Sequence, residues 1–273
     1  MDPETPQTAT VSSKFNFTDA DVTFKSSDGV LFHVHRKNLE VCSEGFPPAG
    51  FPTLGEVVDL PETSVTLDLL FQFVYPQRHP ALDTTPFEVL APLAEASEKY
   101  QVFPAMNICH IRMRDMVHEH PVEVAVYATK HDYPFLVSEV APMVISMDSV
   151  KVIEMLPQNL ILPWVRYVQH WHVLQQAALI LPAGFSVNPH NNNAPVSAFG
   201  AYPGGFHSSC SWTHYIVTIL QRLGAGVRAL RSLDTVFDMN TPDVDDCCQR
   251  AMAVWRRQIE DGIKTIPKFS TFL

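Results

Sequence analysis

The chain has 273 residues, 46% apolar and 18% charged, a balance that excludes a wholly disordered chain and supplies one large or two small cores. Nineteen Lys+Arg against 29 Asp+Glu leave a formal charge of -10, which argues against general nucleic-acid binding, because phosphate attraction needs a surplus of cations. The five cysteines, Cys42, Cys109, Cys210, Cys247 and Cys248, are odd in number and irregularly spaced, so they read as thiols of a reducing compartment rather than a disulfide scaffold. No signal-peptide core and no run of about 18 apolar residues occurs, and the expectation is an intracellular, non-membrane protein.

Residues 1–14 are rich in Thr, Pro, Ser and Gln and read as a disordered tail, with order beginning near Phe15. Val22 and Phe24 alternate with polar residues, Asp28-Gly29 gives a hairpin signal of type I′, and Phe32 and Val34 alternate in turn. Leu39, Cys42 and Phe46 recur at helical spacing. Residues 45–55 form a Gly/Pro loop before a short strand at Val57-Val58-Asp59-Leu60. Ser64 is placed to cap a helix whose apolar face is Leu67, Leu70, Phe71 and Val74. Thr85-Pro86 predicts a cap and first turn for a helix running to Tyr100, with a kink or break at Pro92. A further helix spans about Ala105 to Val117.

Residues 121–181 read as helical throughout, the longest piece running from Pro163 to Leu181 with Trp164, Val168 and Trp171 on one side. Residues 182–206, with four Pro, four Gly and no periodicity, read as a linker or long loop. No Asp, Glu, Lys or Arg occurs between Arg166 and Arg222. Residues 207–273 contain two helices, one near Ser211–Leu233, the other capped by Thr241 and carrying the stripe Val244, Cys248, Ala251, Trp255, Ile259 and Ile263.

Five fragments, in this order, resemble the BTB/POZ domain, most closely a fungal branch of that family. They are Asp19-Ala20-Asp21-Val22-Thr23-Phe24, then Phe32-His33-Val34-His35-Arg36-Lys37-Asn38-Leu39. Val58-Asp59-Leu60-Pro61-Glu62, Leu70-Phe71-Gln72-Phe73-Val74-Tyr75-Pro76 and Leu93-Ala94-Glu95-Ala96-Ser97-Glu98-Lys99-Tyr100-Gln101-Val102 complete the set. The resemblance covers about residues 15–120 and implies an α+β domain there. Residues 121–181 are similar to the helical extension that follows many such domains, so the C-terminal region is expected to be all-helical.

The resemblance implies protein–protein interaction: a self-associating adaptor, without catalysis or cofactor, whose partners are a second copy and other proteins, not a small-molecule substrate. By the same resemblance Asp21 and Arg36 form a buried charged pocket at the dimer interface. Phe15 and Phe17, two apart, are candidates for its apolar part, and Asp21 to Lys25 is read as a sheet edge that a partner chain covers. Leu54-Gly55-Glu56 fits the family's cullin-binding triplet, which implies a substrate adaptor of a ubiquitin ligase. The family's peptide-holding groove is expected to be altered, because Gly45, Pro47, Pro48, Gly50 and Pro52 disfavour its short helix.

Two other functions compete. One is a transcription- or chromatin-linked regulator acting through recruited partners, although no basic cluster exists beyond Arg256-Arg257. The other is a metal-binding or enzymatic C-terminal segment, for which His207, Cys210 and His214, with Cys247, offer zinc-type ligands. Cysteine as a small buried hydrophobe is the competing reading there. His118-Glu119-His120 reads as solvated surface, and Gly224-Ala225-Gly226 as a flexible or close-packed helix position. No Gly-x-Ser-x-Gly, phosphate loop, His-Glu-x-x-His or Cys-x-x-Cys is present.

Overall fold

The hairpin at Asp28-Gly29 forms, but through a different turn. In the computed structural model, which describes residues 10–46, 57–181, 212–239, 244 and 246–273, only Gly29 of this pair has positive φ, at +84°. A type I′ turn needs two such residues. Here the Gly29 N–H bonds to Ser26 O at 2.9 Å and the Ser26 N–H to Val30 O at 2.9 Å, the pattern of a three-residue loop whose glycine closes a bulge.

The chain divides into two units, 1–132 and 133–273. The first contains a four-stranded sheet: β1 (Val11–Asn16), β2 (Val22–Lys25), β3 (Leu31–Val34) and β4 (Val57–Asp59), in the order β1-β3-β2-β4. The hairpin pair β2/β3 is antiparallel, while β1 runs parallel to β3 and β4 parallel to β2. Two expectations are corrected. The ordered chain starts before Phe15, with β1. And β2 is an inner strand, paired on both sides, so the sheet edges are β1 and β4.

Alternation then decides the faces. Phe24 and Phe32 are cross-strand partners and both are buried; Thr23 and His33 pair on the opposite face, with Thr23 Oγ1 and His33 Nδ1 2.8 Å apart. The buried face receives α2 (Ser64–Gln72), which follows α1 (Arg36–Cys42). Phe71 of α2 is fully buried, with ring centroids of Phe15, Phe24 and Phe32 5.5–5.7 Å away and Phe46 at 6.3 Å. Behind α2 lie α3 (Phe87–Lys99) and α4 (Phe103–Asp115), followed by α5 (Pro121–Lys130).

Helix starts depart from the sequence reading by one residue. Thr63, not Ser64, caps α2 by accepting from the Thr66 N–H, and Pro86, not Thr85, precedes α3. The helix α3 runs unbroken through Pro92, which is exposed, so the backbone bond that proline cannot make is lost on the solvent side. After α1 the chain passes tightly along the α3–α4 turn. Gly45 donates to Tyr100 O at 3.0 Å, and a Cβ on Gly45 would lie 2.5 Å from the Tyr100 backbone. Phe46 stacks on Tyr100 at 4.6 Å. Glycine is required at this point by close approach of two backbones.

The second unit is helical: α6 (Pro134–Val144), α7 (Ser149–Met155), α8 (Gln158–Ala178), α9 (Trp212–Leu223), α10 (Leu233–Phe237) and α11 (Asp246–Thr265), with short 3-10 turns at Val227–Arg231 and Phe269–Phe272. Trp164, Tyr167 and Trp171 of α8, Trp212, Trp255 and Phe269 are buried. The Trp255 Nε1–H donates to Ala178 O at 3.1 Å, and Gly262 lets α11 approach Leu174 of α8. Residues 133–181 and 212–273 therefore share one core, where separate segments 121–181 and 207–273 were expected. The helix expected over 211–233 stops at Leu223, because Gly226, with φ at +102°, turns the chain out of the helix. The stripe on α11 holds: Cys248, Ala251, Trp255 and Ile259 are buried. The 182–206 linker lies outside the described residues, as do Thr241 and Pro242.

The sequence boundary at 120 moves to 132, because α5 packs with the first unit. A fragment of residues 10–132 is therefore expected to melt cooperatively, at a temperature above that of a 15–120 fragment, which lacks four of the six residues of β1 and all of α5. Thermal melts followed by far-UV circular dichroism make the comparison. Equal melting temperatures would place the boundary back at 120.

Candidate interaction surface

Asp21 immediately precedes β2, and its Oδ1 accepts the backbone N–H of Arg36 at 2.8 Å. Arg36 opens α1, whose own cap residue, His35, makes no side-chain cap bond. A carboxylate at a helix start satisfies a free donor and complements the positive end of the helix dipole. The Arg36 side chain is buried, at 5% exposure, whereas Asp21 is exposed. The two expected pocket residues are thus adjacent, but the contact described is carboxylate to backbone, and Asp21 is not desolvated.

His35 sits beside them. The Tyr75 hydroxyl accepts the His35 backbone N–H at 3.1 Å and lies 3.0 Å from His35 Nδ1, while His35 Nε2 lies 3.2 Å from Asp19 Oδ1. With the imidazole proton on Nε2, facing Asp19, Nδ1 can accept the phenol proton; with Nδ1 protonated, the phenol oxygen accepts instead. Burial raises the Tyr75 pKa, opposed by the His35 backbone N–H and the Asn38 side chain. This carboxylate–imidazole–phenol chain ties the β1–β2 loop to the segment just after α2.

The apolar candidates part company. Phe15 is 3% exposed, packed on Phe32, Phe71 and Tyr75, so its own chain already covers it and it is withdrawn as an interface residue. Phe17 is 36% exposed and lies on Tyr75 at 5.2 Å and on His35 at 5.0 Å. Phe17, Tyr75 and His35 thus form a half-exposed aromatic platform next to the β1 edge, where Val11 is also exposed.

On another side, Pro61–Thr66, α3 and the end of α5 enclose an open groove of about 780 Å³. Its walls are ion-paired: Lys99 Nζ with Glu62 at 2.8 Å, and Glu95 with Lys130 and His131. The Tyr100 hydroxyl donates to Glu62 at 2.7 Å, and burial, ahead of the opposing Lys99 contact, pushes its pKa up to about 12. Sequence reading missed this groove, because α5 was assigned to the following segment.

Cys109 is buried and its thiol is pushed up to about 12 by desolvation, the reverse of an activated nucleophile. Cys42 and Cys109 are free thiols. Of the zinc candidates, His214 is exposed on α9, His207 and Cys210 lie outside the described residues, and so does the Cys247 side chain. Among the described residues no three His, Cys, Asp or Glu side chains converge as a metal site. His120 of the His-Glu-His run stacks on Phe87 at 3.8 Å, and His118 and Glu119 are exposed. Leu54 and Glu56 lie outside the described residues. Among those described, no helix is long and apolar enough to cross a membrane. No family model matches the sequence, and no curated protein is significantly similar to it.

A second aspartate repeats the device of the first. The Asp28 carboxylate accepts the Ser64 N–H at 2.8 Å and the Ser64 hydroxyl at 2.6 Å, tying the hairpin turn to the start of α2. The Ser26 and then the Ser64 hydroxyl lower its pKa from 3.8 to about 2. A depressed pKa gives stability that is present above the unfolded value and lost as pH falls through the folded one. Stability is thus expected to fall between pH 4 and pH 2, by about 1 kcal/mol after solvent screening, and Asp28→Asn should remove that dependence in urea titrations. A wild-type slope surviving in Asp28→Asn would assign it to other carboxylates. Asp21→Ala removes one charge-assisted bond and is expected to cost about 1 kcal/mol in the same titration, with Asp21→Asn retaining most of it. A loss of 3–5 kcal/mol would instead mark a buried ion pair.

Proposed function

We propose that the chain is a non-catalytic, self-associating protein-interaction module, an adaptor or scaffold built on a BTB/POZ-like N-terminal unit with a helical extension. The observation that carries this reading is the convergence of the five family-like fragments on shared contacts. Phe24 and Phe32 pack on Phe71, Leu60 is buried beyond β4, His35 bonds to Tyr75, and Tyr100 stacks on Phe46. Sequence pieces that resemble a family only in order and spacing thereby also share one core.

The surface for self-association is the β1 edge with the Phe17 platform, in place of the inner strand β2 and the buried Phe15. An edge strand offers unpaired backbone groups, and a half-exposed ring beside it offers apolar area that a second copy can cover by two-fold symmetry. The charge of residues 1–120, 8 basic against 17 acidic, opposes this contact, but screening within about 8–10 Å at physiological salt leaves short-range packing to decide. Presentation of a substrate to a cullin-type ligase rests on Leu54-Gly55-Glu56 and is the narrower form of the proposal.

The test is the mass of the full chain by light scattering behind a sizing column. At tens of micromolar the expected species has at least twice the 30.6 kDa chain mass. Phe17→Asp should remove the N-terminal pairing and lower that mass while leaving the circular dichroism unchanged. A wild-type monomer would overturn self-association, and an unaffected Phe17→Asp would move the interface away from the platform.

A further inference from the structure

The groove between the start of α2, α3 and the end of α5 shares no lining residue with the β1 edge or its aromatic platform. At about 780 Å³ it has room for several residues of an extended peptide, and Pro61, Val65, Val89 and Pro92 give it apolar wall. Its charge is one-sided. Glu62, Glu88, Glu95 and Glu98 stand against two ammonium groups, and each of those is already held by a carboxylate of the groove, Lys99 by Glu62 at 2.8 Å and Lys130 by Glu95. His131 meets the same Glu95 oxygen as Lys130, Oε2, so Oε1 of Glu95 has no partner among the described residues. Glu88, exposed in the first turn of α3, has none on either oxygen. Pro92 adds a backbone acceptor: a proline cannot bond the carbonyl four residues back, which here is that of Glu88. Glu88, Pro92 and Glu95, spaced by four and three residues, share one strip of α3, so the open acceptors lie along the groove in a row about 10 Å long.

We infer that this groove binds a basic segment of a partner protein, in which an arginine or lysine places its cation on Glu88 and Glu95 and its apolar neighbours lie on Val65, Val89 and Pro92. Charge and the count of donors select this occupant. A cationic side chain supplies the donors that the open acceptors lack, and arginine brings five in a fixed fork. An acidic segment would meet surplus carboxylate. A purely apolar one would strip water from Glu88 and Glu95 and give nothing in return. The unit that carries the groove has the same sign: residues 1–132 hold 19 acidic against 9 basic residues, whereas 133–273 hold 10 of each. Long-range attraction for a basic partner, and repulsion of a second acidic copy of this unit, therefore act where the groove lies.

That the occupant is a protein segment rests on the adaptor reading above. Self-association does not enter, because the Phe17 platform and the groove have no residue in common, and the two can fail separately.

The test offers the immobilised full chain degenerate heptapeptide pools, each with one residue type fixed at the centre, and quantifies what is retained. Pools with central arginine or lysine are expected to be enriched about tenfold over pools with central glutamate or leucine, the effect of one charge-assisted hydrogen bond. Glu88→Lys, which breaks no contact of the free protein, should level the pools, and Glu88→Gln should reduce the preference in the same direction. Glu40→Gln, which removes an exposed carboxylate from α1, and Phe17→Asp should leave it unchanged. If light scattering finds a monomer while the basic pools are still retained, self-association fails and the groove stands. Absence of enrichment for basic pools, preference for acidic or uncharged ones, an unaffected Glu88→Lys, or an equal loss in Glu40→Gln or Phe17→Asp overturns the inference.

Discussion

The first unit is organised around the burial of one ring. Phe71 has no solvent exposure, and the rings around it come from β1, β2, β3 and the segment after α1. Aromatic side chains bury large areas and gain further from tilted and edge contacts, so one ring can hold several elements in fixed orientation. Removing such a ring typically costs about 3–5 kcal/mol, a large part of the stability of a small domain. The sheet is only four strands wide, and two of its pairings are parallel and non-local. Without Phe71 on its inner face, β1 would keep its ladder to β3, the Phe15 contacts with Phe32 and Tyr75, and the Lys14–Asp68 ion pair.

The apolar centre does not by itself fix where the helices begin. That is the work of the two hairpin aspartates. Asp21, at the entry to β2, accepts from the first turn of α1, and Asp28, in the turn, accepts from the first residue of α2. At α1 the tertiary contact stands where no local side-chain cap is made, and at α2 it adds to the local cap of Thr63, so both helix starts are tied to the sheet. The His35–Tyr75 bonds add a third tie between the same elements. The hairpin therefore sets both the apolar face that α2 covers and the axial position of the helices upon it.

What the sequence showed follows from periodicity. Val22/Phe24 and Phe32/Val34 alternate because both strands have one buried face, and the α11 stripe recurs because one side of that helix is buried. The strand β1 was illegible for a physical reason. Its buried residues are Ser12 and Phe15, three apart across an irregular register with β3, so it lacks alternation and its serines read as tail. Phe15 was noticed but misplaced, since an apolar residue near a chain start looks available to a partner until the ring that covers it is known. The Asp21–Arg36 proximity was legible through family resemblance, but that the carboxylate accepts the backbone N–H opening α1 could come only from coordinates. The end of the first unit was misread at Pro121, which does start a helix, because nothing in sequence says against which core that helix packs.

The pinning of Ala178 by Trp255 has a consequence for how this chain can change over evolutionary time. Both anchors of the segment that follows α8 are fixed by tryptophans: Ala178 by the indole of Trp255, and the start of α9 by the fully buried Trp212. The free energy of closing a loop between two fixed points grows only logarithmically, by about 0.6 kcal/mol for each doubling of its length. For descendants of the chain, a change of length between α8 and α9 is thus expected to weigh less than the loss of either tryptophan, since Trp255 holds the end of one helix and Trp212 is buried at the start of the other.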